Sequence, residues 1–467
     1  MRRLFLVVLS GLTLAFSWPH IGFFPFIFFA FIPLLILENQ AKNGREIFFL
    51  SFCSFFIFNI ITTYWVWYAS NLGALFAFFL NSVLMSFVFY LYFYVKRKII
   101  NKLGYYSLIF LWISMEYMHL NWDLSWPWLT LGNVFATYPI LVNWYEYTGF
   151  LGGSFWILLV NLLVYKIFQK QQVKTNFILL FISILLPISI SLYINYSYSE
   201  NIRDEMNVLV VQPNIEPYTE KFTIPSNVQL FEFIKLVEQN IDQKTDLILG
   251  PETVLSGPPM DEDNLESIYQ IKVFRNLQEK YPNLNIIVGA ITKKNYKTDT
   301  KITSTARFKN NEYYDLYNSL ILIPTKGNIK LYHKSKLVPG AEKMPFPVLL
   351  DPIAKMVVNL GGISGTLGNP NYTKPFIING HIVTPLICYE SVYGDMQTEN
   401  SDLLAIATND GWWKNTAGYK QHFDYSKLRA IEQRKWVIRS ANTGISAIIN
   451  AKGEAILKTN WDECTTV

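Results

Sequence analysis

Seven long apolar stretches crowd the first 195 residues, and that imbalance constrains this chain more than any motif it carries. They cover residues 4–18, 21–37, 47–67, 74–95, 105–120, 148–168 and 176–193, some shorter than the ~20 residues of a bilayer-crossing helix. Phe, Leu, Ile, Trp and Tyr dominate them, whereas beyond about Tyr196 the composition is that of a soluble domain. The reading is a polytopic α-helical membrane domain of about seven spans over residues 1–196, a linker over 197–206 and an outer domain over 207–467. Arg2 and Arg3 before an apolar core mimic a secretory signal. Ser17-Trp18-Pro19-His20 offers no small-residue cleavage site, however, so the first segment is read as retained.

Loop charges orient the segments. Arg2 and Arg3 precede the first, Lys42 and Arg45 follow the second, and Lys96, Arg97, Lys98 and Lys102 follow the fourth. Lys166, Lys170 and Lys174 mark the end of the sixth, while the alternate loops near Pro19, at 70–73 and at 121–147 contain no Lys or Arg. The positive-inside rule places the N-terminus in the cytoplasm, and an odd number of spans then puts everything after about residue 196 on the outer face. Loop 121–147 carries Trp122, Trp126, Trp128 and Trp144. An interfacial aromatic belt is the plainer reading. The sharper one makes Trp126 and Trp128 a wall for acyl chains beneath an outer-face site. Glu116 falls in the fifth segment, where a carboxylate is costly and often functional, although its place near the segment end also permits exposure.

From residue 207 the period changes. Short β-rich runs at 208–211, 247–249, 286–290, 319–323, 382–387, 403–407 and 445–449 are separated by helix-length stretches at 229–239, 263–280 and 419–436. Asp263, with Glu266 three residues on, has capping-box spacing. The alternation argues for an α/β or mixed α+β layered domain of about 260 residues. Three reactive groups stand just past such runs. Glu252 follows Asp246-Leu247-Ile248-Leu249-Gly250-Pro251, Lys334 follows Ile329-Lys330-Leu331-Tyr332-His333, and Cys388 follows Thr384-Pro385-Leu386-Ile387. Strand ends converging on a pocket present groups in this way. A cysteine there can act as a nucleophile, with the N–H of Tyr389 able to cradle an oxyanion. The bland alternatives are an inert core cysteine and, for Lys334 or Lys336, a solvated surface.

The net charge of +5 is modest, and no basic run suggests a nucleic-acid partner. The five histidines are not spaced as a ligand pair, so no metal is expected, and no cofactor is expected either. Gly361-Gly362-Ile363-Ser364-Gly365-Thr366-Leu367-Gly368 looks like a phosphate loop but lacks the Lys-Ser/Thr ending, and reads as a turn. Three cysteines, Cys53, Cys388 and Cys464, make no disulfide framework, and Cys53 in its apolar segment reads as a small hydrophobe.

Taken in order, these residues resemble the nitrilase (carbon–nitrogen hydrolase) superfamily, and the apolar half narrows the likeness to the bacterial apolipoprotein N-acyltransferases. The matching segments are Val211-Gln212-Pro213-Asn214, Pro251-Glu252-Thr253, Lys334-Ser335-Lys336-Leu337-Val338-Pro339, Glu342, Cys388-Tyr389-Glu390, Thr408-Asn409-Asp410-Gly411-Trp412-Trp413 and Arg439-Ser440-Ala441-Asn442-Thr443-Gly444. In the apolar half they are Trp126-Pro127-Trp128-Leu129-Thr130-Leu131-Gly132 and Gly149-Phe150-Leu151-Gly152-Gly153-Ser154. Gly250 departs from the pattern, standing where Trp is common, and Gly340-Ala341 replaces Phe-Gly. The further membrane helix with which the family closes has no counterpart after Cys464.

The resemblance implies an extracytoplasmic, nitrilase-like α-β-β-α sandwich on the periplasmic face of the bacterial inner membrane. It implies a Glu252-Lys334-Cys388 triad in which Glu252 is general base and then acid, its pKa raised by apolar surroundings. Lys334 and the Tyr389 N–H would steady the oxyanion, Glu342 would hold Lys334, and Glu390 would order the pocket. Trp412 and Trp413 read as a substrate-facing loop. The implied reaction moves an acyl chain from a phospholipid to Cys388 as a thioester, then to the α-amine of a diacylglyceryl-cysteine at a lipoprotein N-terminus. The competing readings are a membrane-tethered amidase or nitrilase acting on a small amide, and a transporter or receptor with an outer ligand-binding domain. The last leaves the three strand-end groups unexplained.

Overall fold

The computed structural model describes residues 1–99, 102–200, 205–346, 366–370, 374–396 and 400–467. Positions 361–365 of the glycine-rich stretch lie outside them. The chain forms two compact units: Met1–Tyr198 with Thr416–Glu432, and Ser199–Asn415 with Gln433–Val467.

The first unit is helical. Four helices, Gly44–Thr63, Asn71–Lys98, Tyr145–Phe168 and Val173–Ser197, are long and apolar enough to cross a membrane. The other three expected spans are shorter, for local reasons. Arg2–Ala15 and Ser107–Leu120 have 14 residues each, a rise of about 21 Å. Segment 21–37 is interrupted by Pro25 and Pro33, giving a 3-10 turn at Phe24–Phe28 and a nine-residue helix at Ile32–Gln40. The backbone groups freed by that break are met by Asn161, whose Oδ1 accepts from Phe31 N (3.0 Å) and whose Nδ2 donates to Ile27 O (2.8 Å). Away from water, such a partner is what makes an interrupted helix tolerable. Polar groups clasp helices elsewhere too: Asn81 donates to Asn59 Oδ1 at 2.8 Å, and Ser54 to Val7 O at 2.9 Å. Glu116 is buried and accepts from Trp112 Nε1 (2.9 Å) and Leu131 N (2.8 Å), so it is not exposed at an interface but fixes the start of a 3-10 turn. Cys53, read as a small hydrophobe, lies exposed on its apolar helix.

One helix of this unit comes from the second half of the chain. In Ala417–Gln433, Gln421 Oε1 accepts from Trp128 Nε1 (2.8 Å) and Trp65 Nε1 (3.2 Å). Tyr425 OH accepts from Trp18 Nε1 (3.1 Å) and donates to Trp128 O (2.9 Å), and Asp424 pairs with His20 (2.6 Å).

The second unit is built on two sheets. In chain order its strands are β1 Val208–Gln212, β2 Leu247–Leu249, β3 Leu255–Asp261, β4 Asn285–Asn295, β5 Arg307–Lys309, β6 Glu312–Ile323 and β7 Lys330–His333. They continue as β8 Phe376–Ile378, β9 His381–Ile387, β10 Leu403–Thr408, β11 Trp436–Ala441, β12 Ala447–Ile449, β13 Ala455–Lys458 and β14 Thr465–Thr466. One sheet runs β14-β1-β2-β4-β6-β5, with β3 on β4 and β7 on β6; the other runs β13-β12-β11-β10-β9-β8. Side chains alternate between two cores, as the strand period requires. Val210, Leu249, Ile287 and Leu320 of the first sheet meet Val383, Ile387, Ala405 and Ile438 of the second. Val211, Ile248, Ile286 and Val288 face the other way, onto Phe233 and Phe274 of helices Ser226–Glu238 and Tyr269–Lys280. The expected cap at Asp263 is corrected here. Asp261 caps a 3-10 turn at Glu262–Ser267, and the helix starts only at Tyr269.

Candidate active site

Strand direction gathers the three strand-end groups. β1, β2 and β4 are parallel, β6 is antiparallel to β4, and β7 is antiparallel to β6, so β7 regains the direction of β4. Glu252 stands past β2, Lys334 past β7 and Cys388 past β9, all at carboxyl ends. Cys388 has φ 48° and Thr253 φ 51°. The left-handed region costs such residues about 1–3 kcal/mol each and persists only where neighbours hold it.

The holding contacts are visible. Glu390 is fully buried. One of its oxygens accepts from Ser335 N (2.7 Å), Ser335 Oγ (2.6 Å) and Lys336 N (3.3 Å), the other from Ile387 N (2.7 Å) and Tyr332 OH (3.1 Å). This one carboxylate therefore ties the chain after Lys334 to the residue before Cys388. Thr253 is placed by Gly289 of β4. A Cβ at 289 would lie 2.4 Å from Thr253 N and 2.7 Å from Pro251 O, so only glycine admits the loop. Gly250, the departure from the family's Trp, has its side-chain space filled. A Cβ there would meet Val288 at 3.0 Å and Phe233 at 3.1 Å.

Lys334 is buried between two carboxylates, its Nζ 3.2 Å from Glu252 Oε1 and 2.9 Å from Glu342 Oε1. Asn318 of β6 sends its Nδ2 to the same two oxygens, at 2.7 and 2.9 Å, and Val338 N donates to the other oxygen of Glu342 (2.9 Å). Lys336, the rival lysine, has its ammonium over the Tyr393 ring instead, 4.8 Å from the centroid. Below the thiol runs a second chain of partners. Thr408, level with Cys388 on the adjacent strand, is within hydrogen-bonding range of the thiol and donates to Asp410 Oδ1 (2.9 Å). Asp410 Oδ2 accepts from buried Arg439 (2.8 Å).

The electrostatics define the resting protonation. Burial pushes the Cys388 thiol well up and the Glu252 charge adds to it, while Lys334 opposes both. Burial also pushes Glu252 up, but the Lys334 ammonium, the Asn318 hydrogen bond and the Lys221 charge outweigh it, and the net shift is down. The expectation of a raised Glu252 is thus corrected: charged partners win over desolvation. Burial works against the Lys334 ammonium, yet Glu252 and Glu342 carry its pKa upward. The resting site holds a neutral thiol beside an ionised carboxylate and a protonated lysine.

Tyr389 is buried with its ring 5.2 Å from that of Tyr393. Trp412 and Trp413 lie in a 3-10 turn, Asp410–Trp413, and are half-buried, Trp412 edge-on to Tyr218 at 5.4 Å. Trp126 and Trp128 belong to the helical unit. Trp128 is enclosed there by Trp65, His422 and Tyr425, so its part in this state is packing rather than a wall open to ligand. Asn318, Gly289, Lys221 and the Thr408-Asp410-Arg439 chain were not singled out as site residues from the sequence. Only the Thr-Asn-Asp and Arg-Ser-Ala-Asn segments offered a signal. Among the described residues no group of His, Cys, Asp and Glu could hold a metal ion.

Residues 208–467 match the carbon-nitrogen hydrolase family, which gives the class of the two-sheet unit. Residues 10–163 match the apolipoprotein N-acyltransferase N-terminal domain. The chain belongs to the apolipoprotein N-acyltransferase family. An apolipoprotein N-acyltransferase of Chlorobaculum tepidum is 27% identical over 98% of this chain and 89% of its own length. One from Rickettsia typhi is 32% identical over 77% of this chain and 68% of its own length.

Proposed function

We propose that the protein N-acylates lipoproteins through a Cys388 thioester, with Glu252 and Lys334 completing the triad. The observation that carries this reading is Lys334, buried between Glu252 and Glu342 with its charge bearing on Cys388. Glu252 takes the thiol proton as sulfur attacks the ester carbonyl of a phospholipid. The oxyanion is met by Lys334 and the Tyr389 N–H. When the tetrahedral adduct collapses, the C–O bond breaks and Glu252 returns the proton to the departing lysophospholipid oxygen. In the second half-reaction the α-amine of a diacylglyceryl-cysteine attacks the thioester. Glu252 takes the amine proton and passes it to sulfur as the C–S bond breaks, leaving an amide and the starting thiol. Glu342 positions Lys334, Glu390 positions the Cys388 turn, and Trp412 and Trp413 face the substrate.

Both substrates are anchored in a bilayer, and the apolar helices give the chain the same anchorage. Within this reading the helical half, residues 1–196, spans the bacterial inner membrane about seven times from a cytoplasmic N-terminus. Residues 197–206 link it to a catalytic domain on the periplasmic face, residues 207–467 apart from the helix Ala417–Gln433 that packs within the helical unit.

The test is intact-protein mass spectrometry after incubation with phospholipid vesicles. A hydroxylamine-labile acyl adduct, lost in Cys388→Ser and blocked in Glu252→Gln and Lys334→Ala, is the expected result. An unmodified wild type that releases ammonia from a small amide would replace the reading with an amidase.

A further inference from the structure

The charge count at the site does not close with the triad and Glu342 alone. Glu252 and Glu342 bring two negative charges against the one positive charge of Lys334, which touches both; Glu252 and Lys334 are buried and Glu342 is partly exposed. Building an oxyanion beside a net negative cluster is unfavourable at low dielectric. A second ammonium is in place. Lys221, on the segment between β1 and helix Ser226–Glu238, turns its Nζ inward onto the hydroxyl of Thr253, the residue after Glu252. The Trp412 ring lies over it, 5.7 Å from Nζ to centroid, and the negative charges that bear on it are Glu252 and, once ionised, Cys388.

The segment itself is fixed. Asn442, past β11, holds it through Asn214 N to Asn442 O (2.8 Å) and Asn442 Nδ2 to Ile215 O (2.6 Å). The acidic residues nearest in sequence are otherwise engaged. Glu216 accepts from Tyr218 N and Thr219 N, and Glu220 from Glu216 N. On the facing turn, Lys414 sits over the Tyr218 ring and Asp410 is paired with Arg439.

We propose that Lys221 is a second cation of the reaction centre, a positioning residue that offsets the extra carboxylate so that negative charge can build on Cys388 and on the acyl oxygen. The proposal rests on the reading of Cys388 as nucleophile. Burial lowers the Lys221 ammonium to about 8, with Glu252 and Cys388 pulling it back up. A lysine with a depressed pKa is charged below that value and neutral above it, so its support is present at neutral pH and lost as pH rises through about 8.

The experiment compares wild type, Lys221→Met and Lys221→Arg by two readouts. The first is iodoacetamide alkylation of Cys388, followed by peptide mass mapping because Cys53 and Cys464 are also free thiols. The second is the pH profile of phospholipid-dependent acylation. Lys221→Met is expected to slow neutral-pH alkylation by about tenfold to a hundredfold, as loss of a neighbouring positive charge lowers the thiolate fraction, and to abolish the alkaline limb near 8. Lys221→Arg retains the neutral-pH rate and moves that limb upward. Wild-type alkylation in Lys221→Met, or an unmoved limb in Lys221→Arg, overturns the proposal while leaving Cys388 as nucleophile intact. Should Lys221→Met not fold, Lys221→Arg decides by its limb alone. Absence of any acyl adduct on wild type, with alkylation still dependent on Lys221, would remove the transferase reading and keep the second cation.

Discussion

The sharpest test of the site's construction is Glu390→Gln, a change of one atom and one charge in a fully buried side chain. Each oxygen of Glu390 faces at least one backbone N–H: Ser335 and Lys336 on one side, Ile387 on the other. Geometry of this kind favours the carboxylate, because a proton on either oxygen would confront a donor. Burial pushes the Glu390 pKa up, and the Ser335 and Ile387 bonds oppose the rise without cancelling it. In Glu390→Gln the amide oxygen can keep the Ser335 side, while the NH2 must then face Ile387 N–H. Tyr332 can turn its hydroxyl to accept; a backbone amide cannot turn. One charge-assisted bond of about 1.5–3 kcal/mol is lost and one buried donor is stranded at about 1–3 kcal/mol, so the total is about 2.5–6 kcal/mol. Ile387 immediately precedes the strained Cys388, so the loss divides between global stability and the geometry of that turn. About 2.7 kcal/mol of it expressed at the thiol would slow acylation about a hundredfold. The assay pairs thermal melting in detergent with the rate of adduct formation at Cys388. Ser335→Ala, which removes one hydroxyl and keeps the backbone donors, should be milder, and Glu390→Ala worse. If Glu390→Gln melts and acylates like wild type, the carboxylate is not the brace described here.

Three further outcomes follow from the geometry. Gly289→Ala puts a methyl 2.4 Å from Thr253 N, a backbone atom that cannot rotate away; melting should register a loss of about 1–3 kcal/mol, with acylation falling further because Glu252 is displaced. Asn318→Ala removes a donor shared by Glu252 and Glu342. Glu252 is held below its ordinary 4.5, so acylation should persist in wild type down to that pH and fall as pH drops through the lowered pKa. Losing the Asn318 donor moves this acid limb upward, and an unmoved limb would contradict the assignment of Glu252 as base. Gln421→Leu removes the acceptor shared by the indole N–H groups of Trp65 and Trp128 and the donor to the carbonyls of Pro19 and Thr62; the expected cost is about 2–4 kcal/mol in the melting of the helical unit.

The strand ends were legible because each combines two local signals, a short apolar run and an abrupt reactive residue. Glu252, Lys334 and Cys388 each sit within three residues of a strand terminus. What joins them was not legible. Asn318 lies inside a twelve-residue strand, and only the antiparallel β4-β6-β7 pairing, a non-local fact, aims it at two carboxylates. The sign of the Glu252 shift was misread for the same reason. Desolvation can be guessed from a local apolar run, whereas Lys334 and Lys221 reach the site from 82 residues later and from a separate loop.

The helix Ala417–Gln433 shows where polarity itself misleads. Its Gln421, Asp424 and Tyr425 give it the look of a half-solvated surface helix, but all three are buried. Burying such groups is unfavourable unless every donor and acceptor finds a partner. Here the partners are the polar tips of an otherwise apolar unit: the indole N–H groups of Trp18, Trp65 and Trp128, the ring of His20, and the carbonyls of Pro19 and Thr62. An isolated indole N–H or carbonyl in a hydrophobic unit is a debt of the same size, so each side satisfies the other. Trp128, which composition alone assigns to an aromatic belt, belongs with Trp18 and Trp65 to a hydrogen-bonding surface whose other half lies 293 to 407 residues later in the chain. Periodicity within either segment cannot reveal that pairing; only the unsatisfied polar groups on both, matched one to one, make it necessary.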